Sequence, residues 1–364
     1  MKDTKDQLRD LAPYRESIEL DFPQKLAKAL KAYCDITSEL DIDKQTKITI
    51  TNITKKLRAI TRCSLKGLHS TAYIKFQNLV QGNKKYSPLI NLFQLAFTIK
   101  PQNNFYRIRQ LNTIYGVEPT EIFHIPLTQR GIVRTQRYSS PGYPCLYLGK
   151  SIYGCWEEMR RPSMQTCAVS RLKNNEELPF IDLRVDTAIE KIFSKDKTNA
   201  LKLFPLIIAC MIPVANNTNT FKPEYTIPQL LIEWMLRYRE KNQKIIGIAY
   251  TSTHINNEFD FTHDKFTNYA IPVINTNSGM FCDKLCSIFK ITYPTTNDLE
   301  KLKCGYGLDS GKYDLNDKQK REDNYKSSDF GNLETRLKDT AKFPLYTIDP
   351  KQGSIKKAET PNDK

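Results

Sequence analysis

A chain of 364 residues, 40% of them hydrophobic, is long enough for about two domains with real cores and is not a disordered polymer. Its 55 Lys and Arg exceed its 40 Asp and Glu by 15, which favours anionic partners without choosing among nucleic acid, phosphorylated small molecules and acidic lipid. The longest apolar run, Leu203 to Ala215, is broken by two prolines and falls short of the roughly 20 residues that span a bilayer, so no membrane helix is expected.

The N-terminus, MKDTKDQLRD, has no apolar stretch of the kind that directs secretion, which leads to an expectation of a cytoplasmic protein. Nine scattered cysteines, mostly among apolar neighbours, fit reduced use as small hydrophobes better than a disulfide framework.

The first hundred residues have apolar positions at helical spacing. Ile53, Leu57 and Ile60 form one stripe, and Leu68, Ala72, Phe76 and Leu79 form another that Gly82-Asn83 should stop. A third helix is expected with Ser87 as N-cap and Pro88 at its first position, running through LINLFQLAF. Lys55, Lys56, Arg58, Arg62 and Lys66 read as a solvated helix face.

After a polar joint at residues 100–104 the texture changes. Short strand-like runs, FYRIR, EIFHIP, PCLYLG, TCAVSRL, LPFIDLR, IIGIAYTS and YAIPVI, are separated by Pro, Gly and Asn turns. Two helices interrupt them. One starts at Ser151 with Ile152, Cys155, Trp156 and Met159 on one face; the other starts at Pro228 with Leu231, Trp234, Met235 and Tyr238 on one face. The fold class is α+β, with short strands and no regular βαβ alternation.

Past Cys304 only 15 of the last 60 residues are apolar, so a polar, partly disordered tail is expected, with room for one short docked helix between residues 330 and 348. The expected organisation is therefore a helical domain at 1–100, a mixed domain at 101–304 and a tail at 305–364.

Metal chemistry is poorly supplied. Cys282 and Cys286 are spaced as on one helical face, without a second pair or nearby histidine, and His69, His124, His254 and His263 form no HExxH arrangement. No metal and no resident cofactor are expected. GxSxG, Walker and GxGxxG motifs are missing too, so hydrolase triads and common nucleotide folds are unsupported.

The informative stretch is QRYSSPGYPCLYLGKSIYGCWEE, residues 136–158. It sets an arginine before a Pro-Gly turn, a tyrosine ten residues later within a strand, and two carboxylates at the end of the next helix. Alternation along the strand turns Tyr147 away from Leu146 and Leu148, so it can face a cleft while they fill a core. Glu157 and Glu158 both lie off the apolar stripe, and periodicity cannot choose between them.

This pattern resembles the RES family, named for Arg, Glu and Ser. Arg137, Tyr147 and Glu158 meet the family spacings of ten and eleven residues, and Gly247-Ile248-Ala249-Tyr250-Thr251-Ser252 is similar to its later strand. FYRIR, FHIP and IPQLLIEW also look like family segments, and the likeness covers roughly residues 105–292.

The resemblance implies a compact fold similar to ADP-ribosyltransferases and an enzyme that consumes NAD+, splitting nicotinamide from ribose with water or phosphate as acceptor. Protein ADP-ribosyltransferase activity is a second reading, and a non-catalytic basic module for nucleic acid a third. The third has weak support, because no dense basic stripe with interleaved aromatics is evident, and nucleic acid is not expected as a partner. Many members are toxins held by an antitoxin with a DNA-binding domain. The first hundred residues here do not resemble that antitoxin, so a separate antitoxin is the partner the resemblance suggests.

The chemistry of the residues agrees with the implied reaction. A carboxylate at Glu158 can stabilise an oxocarbenium-like ribose and align the acceptor. Arg137 offers a planar fork to pyrophosphate. Tyr147 can stack on the cationic nicotinamide ring. Ser252 can hydrogen-bond the carboxamide or a phosphate. Arg107 and His254 are further candidates for binding, the latter on the face of Ser252 if its strand continues.

Overall fold

The computed structural model describes residues 3–15, 20–83, 87–111, 117–163, 166–195, 197–242, 245–254, 263–274, 279–295 and 318–358. Its helices are α1 (Thr4–Asp10), α2 (Phe22–Glu39), α3 (Lys44–Leu65), α4 (His69–Val80), α5 (Pro119–Ile122), α6 (Ile152–Glu158), α7 (Val185–Ile192), α8 (Lys197–Cys210), α9 (Thr226–Asn242), α10 (Asp283–Ile288), α11 (Lys318–Ser327) and α12 (Asp329–Lys338). Its strands are β1 (Ala96–Ile99), β2 (Asn104–Gln110), β3 (Cys145–Gly149), β4 (Cys167–Asn174), β5 (Leu178–Leu183), β6 (Gly247–Thr251), β7 (Thr267–Pro272), β8 (Phe289–Thr292), β9 (Leu345–Ile348) and β10 (Ile355–Lys357). The α+β class holds. None of the described helices is long and apolar enough to cross a membrane.

Contacts divide the chain into two compact units. One comprises Met1–Phe97, Arg134–Pro141 and Pro179–Thr253; the other comprises Thr98–Val133, Gly142–Leu178 and His254–Lys364.

In the first unit, Asp21 opens α2 through a capping box, accepting from Gln24 N while the Gln24 side chain accepts from Asp21 N. The expected stripe of α3 is buried at Ile53, Leu57 and Ile60. On α4, Ala72, Phe76 and Leu79 are buried, but Leu68 is 51% exposed because it lies at the N-cap, before the helical face begins.

The centre of this unit is α8, buried from Leu203 to Cys210 and apolar all round, as a helix covered on every side must be. It packs against α2, α3, α7 and α9. Tyr33 of α2 donates to the Leu201 carbonyl at 2.7 Å and stacks on Phe204. Packing therefore crosses the boundary expected near residue 100, because α8 needs the N-terminal helices as cover. Strands β5 and β6 run parallel here, with Ile181 opposite Ile248.

The helix expected from Ser87 does not form. The Leu89 and Ile90 amides bond to the Leu79 carbonyl, Asn91 Oδ1 accepts from Phe93 N, and a single 3₁₀ turn at Leu92–Leu95 leads into β1. The Leu79 carbonyl, left over at the end of α4, takes the two amides that a Ser87 cap would have accepted.

The second unit is built on antiparallel strands in the order β7-β3-β2-β4-β8-β9-β10. One face is covered by α6 and α12, where Tyr106, Ile108, Ile152, Tyr153, Val169, Phe330, Leu333 and Leu337 form a common core. EIFHIP, expected as a strand, is a helical turn instead. Glu118 and Glu121 form a capping box around Pro119 that closes the turn locally.

The region expected as a polar tail differs as well. Its described part forms α11, α12 and the β9–β10 hairpin, and buries Tyr325, Phe330, Leu333, Leu337, Ile348 and Ala358. Sparse but well-placed apolar residues suffice here because a sheet face is already waiting for them.

Candidate functional site

The residues singled out by sequence fall into two local settings, one in each unit. In the second unit, Ser151 caps α6: its Oγ accepts from Gly154 N at 2.9 Å and donates to the Lys265 carbonyl at 2.6 Å. The helix buries Ile152, Tyr153, Gly154 and Glu157, while Cys155, Trp156 and Met159 are only partly covered. The buried face is thus rotated from the expected stripe, and this separates the two carboxylates that periodicity could not.

Glu157 is buried, paired with Arg161 at 3.0 Å, and accepts from the Tyr153 hydroxyl. It is a satisfied structural acid. Glu158, half-buried at the end of α6, accepts from Asn268 Nδ2 at 3.0 Å on Oε2.

Pairing of β3 with β7 sets Tyr147 opposite Ala270 and Gly149 opposite Asn268. Residues directly opposite share a face, so Tyr147 lies diagonally across from Asn268 on the face that meets Glu158. Leu146 and Leu148 are buried on the other side, as alternation requires, and Tyr147 is half-buried. Gly149 is obligatory here: a Cβ would run into Cys155 Sγ, where α6 rests on β3.

Strands β2 and β3 pair at one point, Tyr106 opposite Gly149, and then diverge. Arg107 follows that point, and its Nη1 donates to the Tyr147 carbonyl at 2.5 Å. Its Nε is buried without a partner. Burial, reinforced by Arg109, pushes the guanidinium down to about 10. A cation held this way gains from an anion placed beside it.

The first unit holds Arg137 and Ser252. Arg137 is buried, with Nη1 donating to the carbonyls of Cys210 and Ile212 at 2.7 and 3.1 Å, Nη2 3.5 Å from Thr253 Oγ1, and the guanidinium over the Tyr225 ring. One arm is therefore committed to the end of α8. Ser252 is fully buried one residue past β6, next to the Thr253 that Arg137 approaches. Strand β6 stops at Thr251, so the alternation that would have put His254 on the face of Ser252 does not apply; His254 lies half-buried in the turn that follows.

The comparisons bear on the same segment. The family model of the RES domain matches residues 104–277. That segment is similar to a RES domain. It is also 32% identical over 303 residues to "Putative toxin YopC" of Bacillus subtilis (strain 168), a match covering 78% of this chain and 65% of that relative. No solved structure matches.

Two features around the RES domain were not visible in its motifs. Asn268, the partner of Glu158, carries no sequence signal beyond its alternation with Ala270. The second is the support of α6 from beyond residue 277. Glu334 on α12, buried and with its carboxyl raised above the ordinary range chiefly by burial, accepts from Ile152 N at 3.0 Å and from the Tyr325 hydroxyl. Lys265, just before β7, pairs with Glu322 at 2.9 Å and lies over the Tyr325 ring. Thus α11 and α12 grip the start of α6 and the approach to β7, the two elements that carry Glu158 and Asn268.

His124, in FHIP, has a structural role. Its Nε2 accepts from Cys282 N at 2.9 Å, which leaves Nδ1 to donate to the Ile125 carbonyl at 2.8 Å. Among the described residues no cluster of His, Cys, Asp and Glu could hold a metal ion. Cys304 lies outside the described residues; none of the described cysteines forms a disulfide.

Proposed function

We propose that this is a toxin-type RES enzyme that cleaves the bond between nicotinamide and ribose in NAD+, with water or inorganic phosphate as acceptor. The observation that carries the reading is the Asn268–Glu158 pair on the face of Tyr147, inside a matched RES domain. A relative named as a toxin supports the toxin reading. The fold expected for this chemistry is similar to that of ADP-ribosyltransferases.

In this reading Glu158 is the carboxylate that stabilises positive charge developing on the ribose and orients the acceptor. Asn268 fixes the plane of that carboxylate by holding Oε2. Tyr147 packs on the nicotinamide ring. In the second unit Arg107 supplies charge to the pyrophosphate and His254 adds a hydrogen bond; Arg137 and Ser252 keep the phosphate and carboxamide roles that the family resemblance implies. Nicotinamide departs as a neutral molecule, so no acid is needed at the leaving nitrogen. A separate antitoxin and a cytoplasmic location belong to the same proposal.

Incubation of the purified protein with NAD+, with and without phosphate, followed by mass spectrometry of the products, tests it. Free nicotinamide with ADP-ribose or its phosphorylated form is expected. An intact NAD+ pool under both conditions would overturn the reading, and label appearing on a protein would convert it to protein ADP-ribosylation.

A further inference from the structure

The helical hairpin α3–α4 has a charge pattern that neither its fold nor the RES chemistry requires. From Lys44 to Val80 there are eight Lys and Arg and not one Asp or Glu. Seven of them, Lys44, Lys55, Lys56, Arg58, Arg62, Lys66 and Lys75, are exposed, and none has an ion pair or hydrogen-bond partner among the described residues. Several exposed cations elsewhere are matched: Arg237 with Glu233 at 2.8 Å, Lys284 with Glu176 at 2.6 Å, Arg9 with Asp6 at 3.0 Å.

At about 100° per residue, Lys44, Lys55, Arg62 and Lys66 project within a sector of about 40°, with Arg58 adjoining it. The cations form one line along the whole of α3. Steps from Lys55 to Arg58, Arg62 and Lys66 are about 4.5 to 6 Å along the axis, on the scale of successive phosphates in a nucleic-acid strand.

This line works against the helix itself. Arg58 and Arg62, and Arg62 and Lys66, are like charges at i,i+4, which destabilise a helix, and Lys44 and Lys47 stand in its first turn, where the dipole favours acids. Only Arg62, in the last turn, gains from the dipole there.

We infer that the solvent face of α3 binds the phosphate backbone of a nucleic acid. In sequence alone these cations read as a solvated face; their alignment and lack of partners point to a polyanion on that face. An acidic protein is the less favoured occupant, since a protein interface needs an apolar centre. On α3 the exposed large apolar residues, Ile48 and Leu65, lie near the two ends of the line, whereas Thr51 and Asn52 border its middle. The inference stands independently of the NAD+ reading.

Fluorescence anisotropy of the full chain with a labelled mixed-sequence duplex of about 30 base pairs, at about 50 and 200 mM salt, tests it. Binding should weaken with salt with a log–log slope of roughly −4 to −6. The triple variant K55E/R58E/R62E should bind at least about 100-fold more weakly, and K55Q/R58Q/R62Q should lower the slope by about 3. The control K351E/K356E/K357E changes charge equally at exposed sites off the hairpin and should bind nearly as the parent does. Unchanged melting temperatures show that each variant is folded. Failure of the parent to bind the duplex, equal weakening in stripe and control variants, or tighter binding of polyglutamate than of duplex would each overturn the inference.

Discussion

Asn268 donates from Nδ2 to Oε2 of Glu158 at 3.0 Å, tying the second residue of β7 to the last residue of α6 across 110 positions of sequence. Hydrogen bonds to charged groups are worth about 1.5–3 kcal/mol, and an alignment lost at the reacting centre costs rate directly. Asn268→Ala should therefore lower kcat for nicotinamide release by about 10- to 100-fold with little change in KM. A variant as fast as the parent would show that the amide does not orient the catalytic group.

The neighbouring carboxylates should part company on mutation. Glu158→Gln should abolish turnover while leaving the melting temperature within about a degree or two, because the half-buried side chain holds little of the core together. Glu157→Gln removes the charge that Arg161 faces in a buried site and disturbs the Tyr153 hydroxyl. It should cost about 1–3 kcal/mol of stability in urea unfolding. The reverse pattern would exchange the roles assigned to the two residues.

Acid sensitivity should trace to His124. Burial, opposed by the hydrogen bond to the Ile125 carbonyl, pushes this imidazole down to about 4 from its ordinary 6.5. Between these values the unfolded chain binds more protons than the folded one, so stability is full above 6.5 and declines as pH falls toward 4. At about 1.4 kcal/mol per pH unit the loss reaches about 3 kcal/mol. Melting curves at stepped pH should show this slope, and His124→Asn should flatten it; an unchanged slope would assign the sensitivity elsewhere.

Removing α11, α12 and the C-terminal hairpin should destroy the second unit. Phe330, Leu333 and Leu337 are buried against Tyr106, Tyr153 and Val169, and each large apolar side chain contributes about 1.5–3 kcal/mol by burial. Their sum is comparable with the net stability of a whole domain. A chain ending at residue 317 should be insoluble or melt without cooperativity. A soluble, cooperatively folding product would mean that the RES match at 104–277 is self-sufficient.

Local chemistry made much of this legible in the sequence. Ile53, Leu57 and Ile60 declared α3 through periodicity, alternation around Tyr147 declared β3, and the spacing from Arg137 through Tyr147 to Glu158 pointed to the RES family. These signals survive in one dimension because they depend on neighbours a few residues apart. Where a distant partner decides, they fail. Leu89 and Ile90 had the composition of a helix, but their amides were taken by the Leu79 carbonyl. The last 60 residues looked too polar to fold, since composition cannot show that a sheet face is waiting for three apolar side chains.

By itself the sequence determined many of the helices and strands, the likeness to the RES family and the shortlist of reactive groups. Tertiary structure alone decided that Glu157 is committed inward while Glu158 meets Asn268, that Glu334 holds the start of α6, and that the cations of α3 stand without partners. The physical reason is the same in each case. Hydrogen bonds, burial and charge pairing act over a few ångströms in space, and whether two groups come that close is set by the packing of elements, not by their separation along the chain.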